Sequence, residues 1–151
     1  MGFRYEDPKK AIKYYCTPKK AQIFASTGVD GIHYCTIPNF GEIVFAVTPL
    51  ASLEHHTFPV AKDITEFLRL IITLHGTGLI DQAPLFAKDR FEEFMTESQN
   101  ENKEEAKRLC SAFDLEPLCS SPYELIINLY NNFEYSKIEY SREYYETLGL
   151  Y

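Results

Sequence analysis

A chain of 151 residues that is 45% apolar and 25% charged is hydrophobic enough to bury a core of its own, which excludes an intrinsically disordered protein. Its net charge of −7 is uneven: residues 1–20 hold six Lys/Arg against two acids, leaving nine basic and twenty acidic residues in the remainder. An acidic body repels a phosphate backbone, so nucleic acid is not an expected partner, whereas a basic protein is.

The N-terminus carries Arg4, Glu6 and Asp7 where a signal peptide would have its apolar stretch. The longest strongly apolar run, residues 64–74, contains Glu66 and Arg69 and falls well short of the ~20 apolar residues that cross a bilayer. These features predict a cytoplasmic protein with no membrane span. Cys16, Cys35, Cys110 and Cys119 form no C-x-x-C pair, and are read as reduced thiols, mostly packed as small hydrophobes.

In chain order, Asp7 and Pro8 read as a cap and first helical residue, predicting a short helix that ends before Pro18. A β-rich block follows. Residues 21–26 and 32–37 are strand-like, separated by the Thr-Gly-Val-Asp-Gly turn at 27–31; after a second turn at 38–41, residues 42–48 hold an unbroken apolar run from Ile43 to Val47. That run predicts a central strand buried on both faces. The short connections make the three strands an antiparallel meander. Residues 49–56 read as a loop and 57–60 as short and extended.

Helices dominate afterwards. Asp63 with Glu66 forms a capping box ahead of Ile64, Phe67, Leu68, Ile71 and Leu74 at helical spacing, with Gly76 and Gly78 as the stop. Further helices are predicted over 88–98, with Phe91, Phe94 and Met95 on one face, and over 103–113, with Ala106, Leu109, Cys110 and Phe113. Another begins at the capping box of Ser121 and Glu124 and buries Leu125, Ile126, Leu129 and Tyr130. A last short helix follows Ser141. Strands first and helices afterwards predict a single α+β domain: a small antiparallel sheet in the N-terminal half packed against about four helices in the C-terminal half.

No cofactor motif is present. Glu54, His55 and His56 place two imidazoles beside a carboxylate, but neighbours on an extended segment point to opposite sides, so one metal ion would not be gripped by both. His33 and Cys35 share a strand face, yet sit about 7 Å apart by strand geometry, too far for an activated thiolate. A small enzyme or metal-dependent hydrolase using His55 and His56, or Cys35 and His33, is the alternative these residues leave open. The 27–31 turn lacks the glycine spacing of a phosphate loop and opens no helix; its glycines read as a tight turn needing positive φ. Tyr123, Tyr130, Tyr135, Tyr140, Tyr144, Tyr145 and Tyr151 crowd the C-terminal part, where they either pin the tail to the core or form an interface.

At residues 23–34, 43–49 and 59–70, with Phe91, Glu92, Glu93 and Phe94 as a helical continuation, the chain resembles the SUKH superfamily, best over about residues 21–98. That group unites bacterial immunity proteins with a fungal regulator of cell-wall synthesis. The resemblance implies an α+β fold and a non-enzymatic role in which the protein binds and neutralises a toxin, with a regulatory scaffold in cell-wall synthesis or signalling as its variant. Asp30, Glu54, His55 and His56 are the expected partner-binding residues, on a shared exposed edge.

Overall fold

The computed structural model describes residues 1–50 and 53–150. Residues 51 and 52 of the predicted loop, and Tyr151 of the tyrosine-rich tail, lie outside the described residues. The fold is α+β, as the order of elements predicts. Among the described residues five strands, β1 (Arg4–Tyr5), β2 (Gln22–Ser26), β3 (His33–Thr36), β4 (Val44–Val47) and β5 (Thr57–Ala61), pair antiparallel in the order β1-β2-β3-β4-β5. Six α-helices follow among the described residues: α1 (Ile64–Leu74), α2 (Gly78–Gln82), α3 (Lys88–Ser98), α4 (Lys103–Phe113), α5 (Pro122–Asn132) and α6 (Arg142–Thr147).

The predicted three strands become five because both neighbours of the meander find partners. Arg4 pairs with Ser26 and Tyr5 with Ala25, while residues 57–61 pair along β4. All four residues of β4 are buried, as the unbroken apolar run requires. Side chains of a strand alternate between faces. Ala25, Tyr34, Ala46, Phe58 and Val60 face α1, α3 and α5, where Phe67, Leu70, Ile71, Phe91 and Ile126 complete one core. Ile23, Cys35, Phe45 and Val47 face the other way, under Cys16 of the N-terminal segment and Ile138 of the tail. Of the tail tyrosines, Tyr135, Tyr140 and Tyr144 lie against this second cluster.

The predicted helix after Asp7 does not form. The Asp7 carbonyl accepts from the Lys10 and Ala11 amides at 2.9 Å, and its carboxylate from the Lys9 amide at 3.0 Å, giving one capped turn and no more. A helix this short is marginal in water, and the non-helical path it takes instead, turning at residues 14–17, lays side chains onto the sheet. Cys16 is fully buried, the Tyr15 hydroxyl donates to the Pro49 carbonyl at 3.1 Å, and Tyr14 stacks on His33.

The capping signals hold, whereas of the residues expected on the buried faces of α3 and α5 only Phe91 and Ile126 are fully buried. The Asp63 carboxylate accepts from the Glu66 amide at 2.7 Å, and the Ser121 hydroxyl from the Glu124 amide at 3.3 Å. At the end of α1 the left-handed residue is His75, with φ 56°, ahead of Gly76, because the Asn102 amide donates to its carbonyl and its Nδ1 lies 2.9 Å from the Glu101 carbonyl. Gly78 opens α2 and does not end α1. On α4 only Ala106 is buried, and Phe113, expected on the apolar face, is 53% exposed.

Candidate functional site

An antiparallel meander returns alternate turns to the same end of the sheet. The β2–β3 turn and the β4–β5 loop are therefore neighbours beyond the row Ser26, His33, Val47 and Thr57. Within the turn, the Thr27 hydroxyl accepts from the Val29 amide at 3.1 Å and the Ile32 amide donates to the Val29 carbonyl at 3.0 Å. Positive φ falls on Gly28, Gly31 and also Asp30, at 52°, a conformation that aspartate tolerates better than most residues. The Asp30 side chain is exposed.

In the loop, the three residues 54–56 go separate ways. Glu54 is open to solvent, its side chain 83% exposed, with Oε1 3.9 Å from His55 Nε2. His55 lies face to face on Tyr135, centroids 3.5 Å apart and planes 4° from parallel, and meets Tyr130 edge-on at 5.7 Å. Partial burial lowers the His55 pKa, opposed by the Glu54 charge. Burial raises that of Tyr135, with the neighbouring tyrosines and Glu54 adding to it. His56 turns away: its Nδ1 is 3.0 Å from the Thr48 carbonyl, and its ring meets Tyr15 at 5.9 Å. The two imidazoles do not converge. Among the described residues no three His, Cys, Asp or Glu side chains are grouped to hold a metal ion.

His33 and Cys35 are both buried on the second face of the sheet. Burial pushes the Cys35 thiol up to about 12 and the Cys16 thiol to about 11. A thiol held protonated is a poor nucleophile. The His33 nitrogens are engaged elsewhere, Nδ1 2.7 Å from the Gly31 carbonyl and Nε2 3.2 Å from the Thr17 hydroxyl, so neither activates the sulfur.

Sequence reasoning missed Asp81. It is 3% exposed, and burial raises its carboxyl to about 7 although the fully buried Tyr34 donates to Oδ2 at 2.9 Å. With Asp30, Thr48, Leu50 and Gln82 it lines a cleft of about 160 Å³. α2 is too short for periodicity to show which of its residues is inward. This end of the sheet thus carries two groups: Asp30, Thr48 and Asp81 around the cleft, and Glu54, His55, Tyr130 and Tyr135 as an acidic and aromatic patch. His56 ties the loop to Thr48 between them.

No family model, curated protein or solved structure matches this chain. Its chemistry has to be read from its own residues. Among the described residues no helix is long and apolar enough to cross a membrane.

Proposed function

We propose that this protein is a non-enzymatic binding domain of the immunity type, covering a basic toxin with the sheet end that carries Asp30, Glu54 and the His55–Tyr135 stack. The observation that carries the reading is the exposed Glu54 carboxylate beside a rigid patch of stacked rings. Aromatic side chains give contact area at low entropic cost, and an acidic rim steers a basic partner. The acidic body and the resemblance to immunity proteins of the SUKH superfamily support it. A regulatory scaffold in cell-wall synthesis would use the same surface for a different partner.

The test is protection. Cells expressing the protein should survive a basic toxin encoded beside its gene, and the pair should co-purify at low salt and separate at high salt. Glu54→Lys combined with Asp30→Asn should abolish both effects. His55→Ala is a poor probe, because it removes packing as well as contact. Survival and co-purification unaltered by the double substitution would remove this surface from the reading, and absence of any protected toxin would remove the reading itself.

A further inference from the structure

On the second face of the sheet, where the N-terminal segment crosses the β2–β3 turn, lies a cavity of about 350 Å³, within the usual size range of small-molecule sites. Its polar lining carries two cations, Arg4 and Lys10, and one carboxylate, Glu6. Arg4, Lys10 and the Tyr14 hydroxyl all reach it, and among the described residues none of these three groups has an ion-pair or hydrogen-bond partner. Glu6 keeps its charge but receives the Ser26 hydroxyl on Oε1 at 2.6 Å, and His33 is bonded through both nitrogens. The cavity therefore offers unused donors and two positive charges against one carboxylate, in a chain of net charge −7.

Both glycines of the 27–31 turn serve this arrangement. A Cβ on Gly28 would stand 2.5 Å from the Arg4 guanidinium carbon, and one on Gly31 would stand 2.8 Å from the Tyr14 ring and 3.1 Å from its hydroxyl. The turn does not cradle a ligand with its own amides, as a phosphate loop does. It makes room for two side-chain donors. Above them Ile12 and Val29 are 73% and 60% exposed on the cavity rim, apolar surface with no partner within the fold.

We propose that this cavity binds a small organic phosphate monoester, its dianionic head held by Arg4, Lys10 and the Tyr14 hydroxyl and its apolar body resting on Ile12 and Val29. A phosphate has oxygens enough to engage both cations and the phenol at once, which a carboxylate lacks, and a planar guanidinium matches phosphate oxygens in pairs. The site is separate from the acidic patch and does not depend on the toxin-binding reading.

Calorimetric titration of the full chain with phenyl phosphate, inorganic phosphate and benzoate tests it. Phenyl phosphate should bind one to one, about tenfold or more tighter than either of the others. Arg4→Gln and Lys10→Gln, both at exposed positions, should each weaken it by about tenfold with no change in melting temperature. Ile12→Ser with Val29→Ser should erase the preference over inorganic phosphate. No saturation by about 10 mM, or equal binding by the Arg4 and Lys10 variants, would overturn the site. Benzoate binding as tightly would overturn the phosphate, and inorganic phosphate as tightly the organic body.

Discussion

The phenol of Tyr34 donates to the Asp81 carboxylate at 2.9 Å, and both groups are buried between the sheet and α2. Burial outweighs this hydrogen bond and raises the carboxyl from 3.8 to about 7. The native state thus holds this proton more tightly than the unfolded chain. The resulting stability is fully present below the unfolded value and is lost as pH rises through about 7. At about 1.4 kcal/mol per pH unit its ceiling is roughly 4 kcal/mol. Denaturant titrations at pH 5 and pH 8 should show wild type losing more stability than Asp81→Asn between the two. Parallel pH profiles for the two proteins would show that Asp81 does not titrate in this way.

Phe45 sits on the second face of the sheet between Phe40 and Phe133, ring centroids 5.5 and 5.3 Å away. Phe45→Ala should cost about 3–5 kcal/mol by urea unfolding. Phe133→Ala should add less in the Phe45→Ala background than alone, since both empty the same space. Strict additivity would mean the tail does not pack there in solution.

The two side-chain caps differ in length, 2.7 Å at Asp63 and 3.3 Å at Ser121. Asp63→Ala should lower stability by about 1–2 kcal/mol and Ser121→Ala by about 0.5–1 kcal/mol. The order, measured by chemical denaturation, is the informative part.

Cys119 is exposed, whereas Cys16 and Cys35 are fully buried with raised pKa values. A thiol reagent at pH 8 should label Cys119 at once and reach Cys16 and Cys35 only after denaturant is added. Rapid labelling of all four would contradict the packed second face.

The candidate patch was legible only in part. The residues 54–56 stood out by type, and the opposed directions of His55 and His56 followed from strand alternation. The ring under His55 did not, because Tyr135 lies eighty positions away and reaches it only through the path of the tail. Asp81 gave no signal at all: its inward aim depends on Tyr34, a partner from another element. The cavity beside Arg4 was hidden for the same reason, since a turn read locally as needing glycine for φ turned out to need it for space as well.

What the amino-acid sequence determined by itself was local. Capping boxes at Asp63 and Ser121, helical spacing from Ile64 and the apolar run of β4 each act over a few residues, and they fixed the α+β class and the four longest helices. Tertiary structure decided the rest: the two extra strands, the non-helical path of residues 11–17 and the covering of the second sheet face by the tail. Those outcomes depend on apolar surface offered by distant elements. A segment that is marginal as a helix alone takes whichever path buries more of its side chains.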